Sequence, residues 1–269
     1  MKIVDLDEKM TPLFCSCLED WSDDVKEAGD RRRRWVERFA PRGLRAKIAL
    51  DDAGNPGGMI QYLPIEESTV DGTGLYFTTC IWVHGHKQGR GNFQGRGMGR
   101  ALLAAAEEDA RAHGATGMAA WGLWLPFWMK ASWFKKHGYK TADRNGMALL
   151  VWKPFVDAAR PPRWFRRSAK PLELTAGRVN VTCFVNGWCT VGAVNAERAR
   201  GVAGEFGDQV VFREIDTSEH STVAAWGLGD ALFVDGKQVS TGPPMSREKL
   251  RKIIGKKVAR LPRSEIRSS

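Results

Sequence analysis

The sequence predicts an α/β (α+β) protein: a mixed sheet flanked by helices, followed by a smaller α/β unit. Three observations carry this reading. Short β-branched and aromatic runs alternate with amphipathic stretches across residues 1–156. A Pro/Arg-rich segment, 157–178, then breaks the pattern with six basic and two acidic residues. A second alternation fills 179–260 and leaves 261–269 as a tail. A chain of 269 residues with 43% hydrophobic content can bury two cores.

Taken in order, Ile3–Leu6 reads as a first strand and Thr11-Pro12 opens a helix carrying Leu13, Phe14, Cys17, Leu18 and Trp21. Arg31–Arg34 leads a second helix, and a run of four arginines is expected to be a solvated face. Leu44–Leu50 and Gly58–Leu63 read as a hairpin about Asp51–Pro56. Leu75–Val83 is the strongest strand pattern in the chain. Arg100–His113 is helical, Met118–Leu123 a strand, Leu125–His137 an aromatic helix and Met147–Phe155 the last strand of this part.

Between Val83 and the helix lies His84-Gly-His-Lys-Gln-Gly-Arg-Gly-Asn-Phe-Gln-Gly-Arg-Gly-Met-Gly99. Glycines let a backbone approach a ligand closely, and the first turn of a helix offers N–H groups without intrahelical partners. A strand, a cationic glycine loop and a helix start therefore suit a phosphate-bearing ligand. The loop holds a tandem repeat, Gln88-Gly-Arg-Gly-Asn-Phe93 and Gln94-Gly-Arg-Gly-Met-Gly99. Only the second copy ends in glycine and runs straight into the helix, so it is the expected phosphate site.

Gln94-x-x-Gly97-x-Gly99 after a strand-final Val83, with Phe134-Lys-Lys-His-Gly138-Tyr139 farther on, resembles motifs A and B of the GNAT acetyltransferases. The resemblance implies acetyl-CoA as co-substrate. It places the pyrophosphate on Gln94, Gly95, Arg96, Gly97, Met98, Gly99 and Arg100, and the pantetheine arm along Ile81, Trp82 and Val83, with Phe134 also on the cofactor side. Phe134 stands where many members carry a proton-donating tyrosine, and a phenyl ring cannot donate. Ser132 or His137 is the substitute donor, while Glu66, Glu67, His84 or His86 is the candidate base. Trp121, Trp124 and Trp128, with Trp82, Phe127 and Trp133 nearby, suggest an aromatic acceptor pocket.

The second part reads as strand Val179–Val185, turn Gly187-Trp188-Cys189, helix Ala193–Phe206, strand Val210–Ile215, helix Ser218–Trp226, a hairpin about Asp235-Gly236 and helix Ser246–Val258. This order, with Trp-Cys after the first strand, resembles a thioredoxin-like domain, although the second cysteine of Trp-Cys-x-x-Cys is absent. The pairing of the two parts looks like the GNAT subfamily with a YoaP-like C-terminal domain. Cys189 at a helix start is expected to have a lowered pKa, alone or with Cys183, for thiol or soft-metal binding. Cys80, inside an apolar strand, reads as a small core residue.

Composition narrows the classes. No run of about eighteen apolar residues is present and the start is charged, which makes a cytoplasmic location the default. Five cysteines without a CxxC argue against a structural zinc site. The net charge of +10 does not by itself indicate a nucleic-acid partner, and none is expected. The expected partner is a small-molecule or protein amine, without a membrane. A homodimer is left open.

Overall fold

A computed structural model, describing residues 1–125, 128–240 and 243–262, organises the chain around two sheets. The larger has seven strands: β1 (Lys2–Asp5), β2 (Arg45–Leu50), β3 (Pro56–Pro64), β4 (Leu75–Val83), β5 (Gly117–Leu123), β6 (Lys140–Asn145) and β7 (Ala148–Pro154). Their spatial order is β1-β2-β3-β4-β5-β7-β6, antiparallel except for the β4–β5 pair. Helices α1 (Thr11–Cys15), α2 (Asp23–Glu27) and α3 (Arg31–Phe39) lie on one side, where Trp35, Phe39, Leu63 and Phe77 pack together. Helices α4 (Met98–Ala112) and α5 (Ala131–Lys136) cover the other face through Leu102, Leu103, Tyr62, Met118 and Phe134.

The β4–β5 pairing is short. It runs from Leu75–Gly117 to Thr78–Ala120 and stops, while β4 continues to Val83 and β5 to Leu123. The cause lies on the other edge of β4. Gln61 of β3 opposes Cys80 and Tyr62 opposes Thr78, so Thr79 is an extra residue, a bulge that bends the strand. Beyond it the two parallel strands part and leave a notch.

The smaller sheet joins β8 (Val179–Val185), β9 (Val210–Asp216), β10 (Ala231–Val234) and β11 (Lys237–Ser240) in the order β11-β10-β8-β9. Strands β8 and β9 are parallel across α6 (Thr190–Gly204). The hairpin β10–β11 turns on Asp235 and Gly236, both at positive φ, as a tight two-residue turn requires. Helix α7 (His220–Trp226) follows β9, and α8 (Arg247–Val258) joins α6 over Val181, Leu232 and Leu250.

Residues 157–178 form an ordered strap. Arg163 and Asp71 exchange two backbone hydrogen bonds of 2.9 Å, the Trp164 N–H donates to Asp143, and the Ser168 N–H donates to the Trp226 carbonyl.

Three differences from the sequence reading stand out. Strand β6 is missing from that reading because Lys140-Thr-Ala-Asp-Arg-Asn is a polar edge strand with little apolar signal. The aromatic helix begins only at Ala131, and Met129 before it holds φ +50°. Phe127 and residues 263–269 of the tail lie outside the described residues. The four-arginine run is not a solvated face. Arg33 and Arg34 are exposed, but Arg31 pairs with Glu197 and Glu214 of the second unit and Arg32 is 3% exposed.

Arg31 belongs to a network that docks the second unit on α2 and α3. Arg198 pairs with Asp24 and Glu27, Arg38 with Asp216, and Arg42 with Glu219. Desolvation disfavours the Arg31 charge, but the two carboxylates outweigh it and hold its pKa above the usual arginine value. Arg31→Ala leaves Glu197 and Glu214 with Arg200 as their remaining partner and should cost about 2 kcal/mol, less than a fully broken buried pair because both acids keep that partner and some solvent. Urea denaturation of the variant checks this, and an unchanged midpoint would refute it.

Candidate functional site

Trp121 spans the mouth of the notch. Its indole N–H donates to the Thr79 carbonyl at 2.8 Å, giving the bulge residue the partner that β5 no longer supplies. Past that bridge, the β5-facing edge of Cys80–Val83, including Ile81 and Trp82, has no strand beside it among the described residues. The Gln94 side chain reaches back across Gly85 and donates to the Val83 carbonyl at 3.3 Å.

At the far end of the notch stands the start of α4. Gly97 is its N-cap with φ +82° and no side-chain cap, and Gly95 holds φ +77°. The Ala101 N–H is the first to find a helical carbonyl, that of Gly97, so the N–H groups of Met98, Gly99 and Arg100 project from the helix end. A Cβ on Gly95 or Gly97 would meet nothing within 4 Å, so the approach to these donors is open. Arg96 and Arg100 are exposed beside it, and Met98 is buried in the α4 core. This end can hold a phosphate through backbone donors and helix dipole.

The first copy of the repeat does something else. Phe93 is buried, its ring seated where a side chain on Gly57 would lie 2.5 Å away. The Gly89 face packs against Trp21, and Arg90 pairs with Asp20 at 3.0 Å. This copy therefore folds over the segment after α1, away from the helix end. It also uses a left-handed glycine, Gly91 at φ +91°.

His84 is corrected as a base. It is fully buried, its Nδ1 donates to the Gly91 carbonyl at 2.7 Å, and its Nε2 accepts from the Trp21 indole at 3.2 Å. Both nitrogens are committed to holding the loop. His86, two residues on, is half-exposed with Nε2 3.5 Å from Glu19. Glu66 is also corrected. It accepts the Gly74 N–H at 2.7 Å, next to the first residue of β4. Eight residues of strand separate that end from Val83, about 26 Å at 3.3 Å per residue. Glu67 pairs with Arg42 on the same side.

On α5, Phe134 is fully buried, its ring edge-on to Trp133 and Tyr139. Trp133 covers Gly99, 3.4 Å from where its Cβ would be. The His137 ring lies tilted against Trp133 with centroids 4.3 Å apart and donates from Nδ1 to the Trp133 carbonyl. Ser132 is exposed on the same turn. Of the predicted acceptor tryptophans, Trp121 and Trp128 meet edge-on at 5.3 Å, whereas Trp124 is 54% exposed.

The second unit reaches this site through Trp188, which meets Trp121 edge-on at 6.4 Å, and through Thr190, whose hydroxyl lies 3.0 Å from the Cys17 thiol. The sequence did not reveal this approach, because nothing local marks Trp188 as facing another unit. Cys189 caps α6 as expected, but its thiol is not activated. Burial pushes its pKa up to about 12, Asp230 adds to that, and the Gly192 and Val191 N–H groups oppose it without prevailing. Burial likewise raises Cys183 and Cys80. All five cysteines are free thiols.

Residues 8–124 match the model of the acetyltransferase (GNAT) family. That stretch is similar to the family over 117 of the 269 residues. The match ends just past β5 and so includes β4, the glycine loop, α4 and both walls of the notch. No match was found among curated proteins. Several solved acetyltransferase structures are similar to the chain over somewhat more than half of its length. The PaiA N-acetyltransferase of Thermoplasma acidophilum, in complex with coenzyme A, shares 15% identity over 58% of this chain and 100% of its own, with TM-score 0.42. A GNAT acetyltransferase of Brucella melitensis in complex with acetyl-CoA shares 17% over 60% and 90%, with TM-score 0.40. The ribosomal-protein-alanine N-acetyltransferase of Brucella melitensis shares 18% over 58% and 100%, with TM-score 0.43.

Asp230, against the first turn of α6 at Gly192, gives a pH test of the neighbouring unit. Burial pushes its carboxyl up to about 7. The folded state then binds a proton that the unfolded chain releases near pH 4. Stability falls as pH rises from about 4 to about 7 and is level above that. Asp230→Asn should leave Tm nearly unchanged at pH 4 and raise it at pH 8, measured by calorimetry. Equal Tm differences at both pH values would count against a buried neutral carboxyl.

Proposed function

We propose that the protein is an acyltransferase that moves an acetyl group from acetyl-CoA to a primary amine by direct attack on the thioester. The observation that carries this reading is the notch: a bulged β4 parted from β5, with a left-handed glycine cap presenting the α4 N-terminus at its far end. The residues present fit the cofactor. The N–H groups from Gly95 to Arg100 would hold the pyrophosphate, with Arg96 and Arg100 adding charge, while the Gln94 N–H is donated to Asn92 Oδ1, and the unpaired edge of Ile81, Trp82 and Val83 would receive the pantetheine amides once the Gln94 side chain swings off Val83. Acetyl-CoA supplies the activated acyl group when bound.

Protons are the remaining task of the chain. An ammonium acceptor must lose one, and the leaving sulfur must gain one. We assign removal to His86, oriented by Glu19, in place of His84. We assign delivery to His137, whose ring lies against the tryptophan covering Gly99. Ser132 stands as the alternative donor on the same helix. The alternative of thiol or soft-metal chemistry through Cys189 and Cys183 is less well supported, because loss of solvent pushes both thiols up in pKa. We read the second unit, at 179–260, as thioredoxin-like, a reading supported by its β-α-β-α-β-β-α order, and as a docked wall of the acceptor side that approaches by Trp188. The first domain is read as 1–156, and the pairing of the two as YoaP-like.

Acetyl-CoA at about 100 times its Kd should stabilise the protein by about 2.7 kcal/mol, visible as a raised Tm. Gly97→Val, at a left-handed position where a β-branched residue is strained, should abolish that shift while leaving the circular dichroism spectrum unchanged. A full shift in the variant would sink the assignment of the pyrophosphate to the second copy. His86→Gln should lower kcat about 100-fold with the KM for acetyl-CoA unchanged, in a thiol-release assay. An unaltered kcat would remove His86 from the mechanism.

A further inference from the structure

Arg32 differs from the other arginines of its helix. Arg31 and Arg38 reach carboxylates of the second unit, whereas no ion pair to Arg32 exists among the described residues. Yet Arg32 is 3% exposed, a cation inside the protein. Its Nη1 faces the Cys17 thiol, its Nη2 donates to Gln61 Oε1 at 2.7 Å, and its Cζ lies 4.4 Å from the centre of the Phe14 ring. A guanidinium only donates, so the Gln61 amide must turn its oxygen to Arg32 and its NH2 away. That NH2 has no partner, nor does the Arg32 Nε–H.

Two further buried donors, the indole N–H groups of Trp82 and Trp188, are also unpartnered and pack around the same cluster as Cys80 and Met59. The region is rich in donors and poor in acceptors, with one formal positive charge. A buried cation without an anion is costly, and four orphaned N–H groups add to that cost. A ligand group that relieves both is an oxyanion. A single positive charge in apolar surroundings of Phe14, Leu18 and Met59 fits a monoanion, because a dianion would carry uncompensated charge into the core.

The place gives the group its role. Gln61 faces Cys80, the first residue of β4 beyond the bulge, and Trp188 meets Trp121, whose N–H bridges the notch. The donors thus lie on the α1–α3 side of the notch, opposite the α4 N-terminus. We propose that Arg32, Gln61, Trp82 and Trp188 bind the carboxylate of the acceptor, making the substrate a small amine that also carries a carboxylate. This rests on the acetyl-transfer reading above. The second unit completes the site, since Trp188 is one of its four donors.

The test compares an amino acid, its carboxamide and its decarboxylated amine as acceptors across a panel of side chains. For the best side chain, kcat/KM should favour the carboxylate by about 100-fold, as expected when a site's donors would otherwise stay unpaired. Arg32→Gln should erase that preference with the KM for acetyl-CoA unchanged. Trp188→Phe keeps the ring, removes one N–H and should lower the preference about tenfold, which covers the case in which the Arg32 variant fails to fold. Parity between acid and amine in the wild-type protein, or a preference that survives Arg32→Gln, would overturn the proposal. A binding arm needs no cofactor: the preferred amino acid alone should raise Tm in wild-type protein and not in Arg32→Gln. Failure of acetyl-CoA to bind sinks only the transfer reading and leaves that arm to decide. If no carboxylate shifts Tm and Cys17 alkylates rapidly with iodoacetamide at neutral pH, the guanidinium serves a Cys17 thiolate and the carboxylate site is refuted.

Discussion

The extra residue at Thr79 is the constraint on which the rest depends. A parallel strand pair would ordinarily continue its ladder to the end of the shorter strand, and β5 is long enough to pair three residues beyond Ala120. The bulge turns the outer half of β4 away and leaves backbone groups in an interior that would ordinarily demand partners. Trp121 satisfies one of them with an indole N–H, a donor with no acceptor need of its own. The remaining edge is kept open. Because α4 begins after a loop leaving the end of β4, the opening and the helix N-terminus are set by the same strand.

The second unit acts on the other side of that strand. Its contact with α2 and α3 is written in charge, with arginines and acids contributed from both sides. Such pairs at partly exposed positions each contribute little, but together they fix orientation. What the orientation achieves is apolar: it brings Trp188 against Trp121 and the sheet cluster of Met59 and Cys80. Loss of solvent there also pushes the Cys189 thiol up, since the N–H groups of Gly192 and Val191 do not outweigh it.

Much of this was legible in the sequence because it is local. A strand, a glycine loop and a helix start are contiguous, and their chemistry follows from backbone geometry. The misreadings share a different cause. Arg31 looks solvated until a unit more than 150 residues away supplies Glu197 and Glu214, and Arg32 until Gln61, Cys17 and Phe14 close around it. His84 looks reactive until Trp21 and Gly91 occupy its nitrogens. Glu66 looks close to the strand end in sequence, but the antiparallel register of β3 on β4 carries it to the opposite end. Strand β6 has no apolar alternation because only its ladder to β7 holds it.

The repeat in the loop shows how one side chain divides two otherwise similar copies. Both place glycine in the left-handed region at their fourth position, Gly91 and Gly97. They part at the sixth. Phe93 offers a ring that fills the space above Gly57, and burying an aromatic side chain contributes on the order of 2 kcal/mol. That contact ties the first copy to the sheet and directs its earlier glycines onto Trp21. Gly99 offers no side chain, so Trp133 can lie directly on the first turn of α4. With a phenylalanine at 99 the indole would be displaced, and with a glycine at 93 the first copy would lose its anchor. The repeat therefore supplies one loop that closes over the segment after α1 and one that opens a helix end toward the notch.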